Sequence, residues 1–483
     1  MKSQIFKNQK IDNDLTCTDW WTSFQHDLLN SGYSTSNCPD TSKLLWSFKT
    51  EDFISSSPCI DNGMVYIGSR DNKFYCLDAS NGACIWNFTT NNLIDYSPVI
   101  YKDHVYVGSS DKNVYCLNKS TGEHYWTFTT RRPIRGLSVD NDRLYICSDR
   151  LYCVDIHSVT IIWDRTTIHN WRGAPAIFNG KIYSTNFRDI ECINSLNGNL
   201  IWNFSTECEI FSSISILENN VYCSSHDGNV YCLDASSGTL NWFYTTNSYV
   251  WSTPAVAYDR IYVGSFDNHV YCLDAFTGEL IRKYLTEDQI SSSSAIADGK
   301  VFIGSNDYRF YCLDAHTGEF IWSFRTSYYI TGSPAIADNK VFIGSWDKKL
   351  YCFSDNNPPN KPTIDGPTRG KPGHIYSYNI TATDPDGDNI SYTVEFNNGS
   401  SGSTHGPFIS GYTLEVYTVW SQQGTYTIQA KAKDEFGLES DWATLEVTMP
   451  KTKVSLWERL VYWFPILDEF LFHNSNRFER IYC

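Results

Sequence analysis

The stretch Cys232-Leu233-Asp234-Ala235-Ser236-Ser237-Gly238-Thr239-Leu240-Asn241-Trp242 decides the fold, because it is one of eight versions of a single phrase. Its cysteine recurs at Cys76, Cys116, Cys153, Cys192, Cys272, Cys312 and Cys352, with successive spacings across the eight of 40, 37, 39, 40, 40, 40 and 40. Its tryptophan recurs at Trp46, Trp86, Trp126, Trp163, Trp202 and Trp322, with Arg282 in the one missing slot. A third series of strand ends runs in step: Pro58, Pro98, Ser138, Pro175, Ile214, Pro254, Ser294 and Pro334. Self-similarity at a period of about 40 residues is the signature of a repeat architecture.

Each unit reads as four short strands. In residues 250–284 these are Val250 to Val256, Arg260 to Ser265, His269 to Asp274 and Glu279 to Tyr284, with a tight turn at Asp267-Asn268. That turn recurs at Asp71-Asn72, Asp111-Lys112, Asp227-Gly228, Asp307-Tyr308 and Asp347-Lys348. Four antiparallel strands per repeat make one propeller blade. The third strand is apolar on both faces, through Val270 and Cys272 on one and Tyr271 and Leu273 on the other, as a blade stacked between two neighbours requires. The array begins with a lone fourth strand, Leu44 to Lys49, and ends after a third, Leu350 to Phe353, so the first segment should complete the eighth blade. Residues 44–356 are therefore read as an eight-bladed β-propeller, the third blade being trimmed around Asp149-Arg150.

The quoted phrase resembles the tryptophan-docking motif of quinoprotein (PQQ-like) propellers, which reads Ala-x-Asp, two residues, Thr-Gly, three residues, Trp; it recurs at Cys272 to Gly278 and at Cys312 to Trp322. The lead-in, 1–43, adds Trp20-Trp21 through Gly32-Tyr33-Ser34, similar to the segment that often precedes such repeats. The resemblance implies that Trp46, Trp86, Trp126, Trp163, Trp202, Trp242 and Trp322 dock blade against blade. The family includes quinone-dependent dehydrogenases, a scaffold of outer-membrane barrel assembly and cell-surface proteins. Its dehydrogenases carry an adjacent Cys-Cys disulfide over the quinone, a calcium held by carboxylate and amide ligands, and a catalytic Asp. This chain has no adjacent cysteines and no long inserts between blades, so no catalytic residue is assigned and no specific residue supports PQQ or its calcium. The expectation is a non-enzymatic binding or scaffold protein; the alternatives are a PQQ-dependent oxidoreductase and a carbohydrate- or peptide-binding sensor.

The periodic cysteines stand where that motif has Ala. Equivalent positions on stacked sheets lie about 10 Å apart, and a disulfide needs Cα atoms within ~7 Å, so these read as inert packing thiols. Two pairs are candidates for bridges: Cys223 with Cys232, expected to lie opposite each other on one hairpin, and Cys17 with Cys38, which bracket the lead-in.

One position varies among monotonous neighbours. Three residues before each strand-one proline position stand Ser55, Asp95, Arg135, Arg172, Phe211, Trp251, Ser291 and Thr331. Innermost strands line the channel, so Arg135 and Arg172 beside Phe211 and Trp251 would suit a flat anion by charge pairing and stacking. The same side chains could equally plug the channel or pair with Asp95.

A proline linker, 357–361, separates the array from residues 362–450, where about seven short strands give the rhythm of an immunoglobulin-like sandwich. Thr383-Asp384-Pro385-Asp386-Gly387-Asp388 and Asp434-Glu435-Phe436-Gly437 resemble phrases of polycystic-kidney-disease (PKD)-type surface modules. Asp384, Asp386 and Asp388 could chelate calcium, or form an acidic turn. Residues 451–483 hold an amphipathic tail, Ser455 to Phe472, that could dock on the protein, a partner or a membrane surface. A net charge of −16 without a basic block argues against nucleic acid. The longest apolar stretch, Leu460 to Leu467, is too short to span a bilayer. The family resemblance points to the cell surface or outside, with a protein or glycan partner; the polar start, Met1 to Asp14, lacks a signal-peptide core and leaves the cytoplasm open.

Overall fold

The structure is a computed structural model that describes residues 19–167, 170–397 and 402–450. The chain divides between Asp355 and Asn356 into two compact units. The first holds eight antiparallel sheets of four repeat strands each, and in seven of them order in the sheet follows order in the chain. Blade 1 is Cys59–Asp61, Met64–Gly68, Lys73–Asp78 and Cys84–Thr89. Blade 8 takes three strands, Ala335–Ala337, Lys340–Gly344 and Lys349–Ser354, from the end of the array and its fourth, Lys43–Lys49, from the beginning, with Trp46 opposite Cys352. The ring closes as the repeat phase requires.

Third strands are buried on both faces: in His269–Asp274, Val270, Tyr271, Cys272 and Leu273 are all enclosed. The tyrosine of this strand also fixes the turn before it. Tyr75, Tyr115, Tyr271, Tyr311 and Tyr351 each donate a phenolic hydrogen bond of 2.6–2.7 Å to the aspartate four residues earlier. The residue after that aspartate adopts a positive φ even where it is not glycine, as at Lys112 (77°), Tyr308 (72°) and Lys348 (72°). In blade 3 the connection shrinks to Ser148-Asp149, between Arg143–Cys147 and Arg150–Asp155.

Two expectations need correcting. First strands are mostly three residues long, as in Ala255–Ala257, and do not extend back to Val250. Cys223 and Cys232 do not face each other: the register sets Cys223 against Tyr231 and Tyr222 against Cys232, so the two thiols lie on opposite faces. Both are free, and burial pushes the Cys223 and Cys232 thiols up to about 12. Cys17 lies outside the described residues; Cys38 is buried with its thiol on the Ala297 carbonyl, 3.4 Å away.

The tryptophan series holds blade to blade through one repeated contact. The indole of Trp46, Trp86, Trp163, Trp202 or Trp242 donates, at 3.0–3.2 Å, to the carbonyl that begins the next blade's last turn: Ala79, Lys119, Ser195, Ala235 or Ala275. Each ring covers a glycine of that turn; a Cβ on Gly238 (φ 74°) would lie 2.6 Å from the Trp202 ring. Trp126 makes no such bond, and the turn beside it carries Val159 (φ 55°) where the others have glycine. Trp322 is buried with its Nε1 unpartnered. It packs on Phe353, centroid to centroid 5.8 Å, where the chain leaves the array without a docking turn.

Among its described residues the second unit has seven strands in two antiparallel sheets. Thr363–Asp365, Ile375–Thr381 and Thr413–Val419 form one; Ser403–Phe408, Ile390–Phe396, Gly424–Asp434 and Ala443–Met449 form the other. Alternating inward residues, among them Tyr378, Tyr392, Trp420, Ile428 and Val447, make its core. No helix among the described residues is long and apolar enough to cross a membrane. The tail at 451–483 lies outside the described residues.

Candidate functional site

Inner strands of all eight blades surround a cavity of about 550 Å³ on the propeller axis. Position along those strands orders the cavity into layers. Seven of the eight variable residues line its outer layer: Ser55, Asp95, Arg135, Phe211, Trp251, Ser291 and Thr331.

Two residues further along comes a girdle of hydroxyls that ties blade to blade. Ser213 Oγ accepts the Ala174 N–H (2.9 Å), Thr253 Oγ1 that of Ser213 (2.9 Å), Ser293 Oγ that of Thr253 (2.8 Å), Ser333 Oγ that of Ser293 (3.2 Å) and Ser57 Oγ that of Ser333 (2.9 Å).

Three residues beyond the girdle on most strands lies the lead-in. Its carbonyls take one inner-strand N–H from six blades in turn: Trp21 from Ile60, Thr22 from Ile100, Leu28 from Ile177, Leu29 from Ile216, Ser31 from Val256 and Gly32 from Ile296, at 2.7–3.0 Å. Tyr33–Ser34 then pairs in parallel with Ile296 and Ala297. The segment plugs the axis, and Phe24 from it reaches the cavity, which is therefore a cup. Largely enclosed His26 braces the plug, its Nε2 3.0 Å from Asp19 Oδ1. Burial alone would lower the imidazole, but the hydrogen bond to Asp19 and the charge of Asp27, whose Oδ2 lies 3.9 Å from Nδ1, raise it to about 9.

The cup is aromatic on two sides. Trp251 lies 4.9 Å from Phe211 and 5.6 Å from Phe266, while His226 stacks between Phe211 (4.3 Å) and Tyr249 (4.9 Å). Across it, Trp346 stacks on Phe53 at 5.3 Å, with Tyr328 beside Phe53 at 6.1 Å. Trp251 is 40% and Tyr249 54% exposed, so these rings meet solvent at the mouth. Between the two groups, Ser291 Oγ and Asn306 Oδ1 are buried without a hydrogen-bond partner.

Among the described residues, three charged side chains line the cup: Arg70, Asp95 and Arg135. Asp95 is neutralised: Arg70 Nε lies 2.7 Å and Ser55 Oγ 2.6 Å from its Oδ1. Arg135 keeps its charge; Nη1 donates to the Tyr96 hydroxyl at 3.2 Å, and among the described residues no carboxylate lies within 4 Å. The cup is net positive in a chain of net charge −16. Arg172 turns out of it. Its guanidinium covers Phe211 at 3.8 Å and pairs with Glu209, 3.0 Å away. Sequence reading missed Arg70, Phe266, Asn306 and Trp346, each of which follows a Gly-Ser pair and precedes an aspartate in its repeat.

The quinone and calcium implied by the resemblance do not fit these residues. The single lining carboxylate is already held by Arg70 and Ser55, which leaves no acid for a calcium shell or for base catalysis, and no pair of adjacent cysteines stands over the rings.

In the second unit Asp384, Asp386 and Asp388 are brought together, with one carboxylate oxygen from each within 4.8 Å of the others. Asp384 is 6% exposed.

No curated protein matches the chain. Among solved structures, it resembles a europium-containing methanol dehydrogenase (14% identity, 72% of this chain and 90% of that one, TM-score 0.60) and BamB from Moraxella catarrhalis (14%, 65% and 99%, 0.56). A computationally designed protein, Ika8, is similar to the same degree (16%, 64% and 99%, 0.59). Likeness at this identity shows the shared fold alone. A PKD-domain family model matches residues 365–447. The repeats match the family model described as outer membrane protein assembly factor BamB over residues 36–138, 186–289 and 282–357, more than half of the chain, and the protein belongs to that family of PQQ-type propellers.

Proposed function

We propose that the protein is a non-catalytic binding protein whose axial cup receives an anionic, ring-bearing ligand, an acidic carbohydrate before others. The observation that carries this reading is Arg135, a cation without a carboxylate partner, set in a cup walled by aromatic rings. Trp251 and Tyr249 at the mouth offer faces on which pyranose rings stack, while Ser291 Oγ and Asn306 Oδ1 offer unsatisfied polar atoms to hydroxyls. The volume suits a ligand of one to three sugar rings, since sites for small molecules run to about 300–1,000 Å³. Display outside the cytoplasm agrees with the PKD domain and with BamB-type repeats.

A second reading, a protein scaffold, draws on exposed aliphatic pairs that open the fourth strands of three blades: Ile161-Ile162, Leu200-Ile201 and Leu280-Ile281.

Calorimetric titration with uronic-acid oligosaccharides, their neutral counterparts and pyrroloquinoline quinone with calcium tests the first reading. Saturable binding of the acidic sugars, at least tenfold weaker for the neutral ones and for Arg135→Ala, is expected. Binding of the quinone alone would replace this reading with the oxidoreductase one. Silence in every arm would leave the scaffold.

A further inference from the structure

We propose that the turn 383–388 of the PKD domain is a calcium site, independent of the cup. Asp384 anchors the turn from inside: its Oδ1 accepts the N–H groups of Asp386 (2.8 Å) and Asp388 (3.2 Å). Its own N–H is held by Ser410 Oγ at 2.8 Å. The turn therefore folds back on one carboxylate and gathers the other two around it. What the turn does not supply is a partner for the second oxygen. Asp384 Oδ2 is buried and accepts no hydrogen bond, and no described lysine or arginine pairs with Asp384. A buried carboxylate oxygen without a donor is costly and rare.

The carboxylates of Asp386 and Asp388 also crowd like charge against Asp384, one oxygen of each lying within 4.8 Å of the others. One divalent cation would satisfy the orphan oxygen and cancel the repulsion together.

The donor set selects the ion. All three ligand groups are carboxylates, and the group contains no histidine or cysteine, so a hard cation is favoured over zinc or copper. Calcium tolerates irregular oxygen shells and completes them with backbone carbonyls and water, whereas magnesium demands near-ideal octahedral geometry. Three carboxylates on a surface turn match the weak class of extracellular modules, with Kd about 0.1–1 mM.

The test is calorimetric titration of the full chain with calcium, with magnesium as control, joined to hydrogen exchange of the peptide spanning 383–390. One calcium per chain is expected, with slowed exchange in that peptide and at least tenfold weaker binding in Asp388→Asn. Asparagine is isosteric with aspartate, so this variant keeps the shape of the turn; Asp384→Asn serves as the second variant. No calcium binding up to ~10 mM would overturn the proposal. Binding that survives both substitutions, or protection confined to the propeller, would overturn it equally. Neither result bears on the proposed sugar ligand of the cup, whose titrations are run without calcium.

Discussion

Trp202 and Trp322 occupy the same repeat position, are 8% and 7% exposed, and differ in one hydrogen bond. Trp202 Nε1 donates to the Ala235 carbonyl at 3.1 Å, whereas Trp322 Nε1 is buried with nothing to accept it. Replacing each by phenylalanine removes the same ring volume from sites of matched burial, so the cavity and transfer terms cancel to first order. What remains is the indole N–H. At 202 its loss costs about 1 kcal/mol, the net worth of an ordinary hydrogen bond. It costs no more than that, because Ala235 O keeps the Tyr183 hydroxyl at 2.9 Å. At 322 the change deletes an unsatisfied buried donor, which relieves about 1–3 kcal/mol. Trp322→Phe should therefore be more stable than Trp202→Phe by about 2–4 kcal/mol. With an m-value of about 5 kcal/mol/M, that separates their guanidinium midpoints by roughly 0.5 M. Denaturation followed by circular dichroism on both variants measures it. If Trp322→Phe falls as far as Trp202→Phe, the account of blade docking by an indole-to-carbonyl bond is wrong.

The His26–Asp19 pair predicts a pH dependence of the plug. The imidazole pKa is about 9 in the fold against an ordinary value of 6.5, so its contribution is complete below pH 6.5 and is lost as pH rises through about 9. The shift bounds that loss at about 3 kcal/mol. Burial raises the Asp19 carboxyl, but the hydrogen bond and charge of His26 and the hydrogen bonds from Thr35 together hold it below the usual carboxylate range; its contribution is lost only in acid, below about pH 4. Urea midpoints at about pH 6 and about pH 9.5 should fall further for the wild type than for His26→Gln; parallel falls would sink the idea. The thiols give a second check. Cys84 is exposed and Cys208 half-buried, while burial raises Cys116, Cys147 and Cys223 to about 12. Maleimide treatment of the native protein, mapped by peptide mass spectrometry, should mark Cys84 first among the described cysteines and leave Cys232 and Cys272 unmarked until denaturant is added. Early labelling of either would show that the blades open.

Blade number, closure and the shortened third hairpin were legible because a repeat of about 40 residues states its own register: in seven blades the cysteine opposes the tryptophan of the fourth strand, as Cys232 opposes Trp242 and Cys352 opposes Trp46, and in the remaining one Cys272 opposes Arg282. The outer layer of the cup was legible for the same reason, since a variable residue among invariant neighbours marks a position freed from packing. The identical criterion applied after the Gly-Ser pairs would have found Arg70, Phe266, Asn306 and Trp346. The plug was not legible. Its contacts come from the carbonyls of Trp21, Thr22, Leu28, Leu29, Ser31 and Gly32, spaced by one, six, one, two and one residues, and no side-chain period of strand or helix accompanies them. Backbone acceptors leave no mark on residue type. Arg172 stood in the right slot and still left the cup, because direction depends on the local ladder.

That ladder explains why the cup is asymmetric although the repeat is regular. Two residues before the strand-one proline position, blades 1, 5, 6 and 7 carry Ser56, Ser212, Ser252 and Ser292. Their hydroxyls accept the N–H of Gly68, Ser224, Gly264 and Gly304 at 2.8–3.4 Å. A side chain thus fills the place of a backbone bond, and regular pairing begins only three residues later. Blades 3 and 4 have Gly136 and Gly173 there instead. In these two blades the pairing starts earlier: Gly136 pairs directly with Cys147, and in blade 4 Trp171 and Arg172 pair ahead of a bulge, whereas blade 8, with Gly332 in the same slot, pairs only from Ala335. The two glycines approach so closely that a Cβ on Gly136 would sit 1.9 Å from the Gly173 carbonyl. The hydroxyl girdle, which begins at blade 4 and runs through blade 8 to blade 1, gives way at this seam, where Leu137 stands in its slot. In blade 4 the extended ladder directs Arg172 toward Phe211 and Glu209; in blade 3 it ends one residue short, at Arg135, whose N–H is held by Cys147 O at 2.8 Å. The unpaired cation of the cup is therefore mounted on its most regular stretch of inner sheet, already ordered before a ligand arrives, so little entropy remains to be lost there on binding.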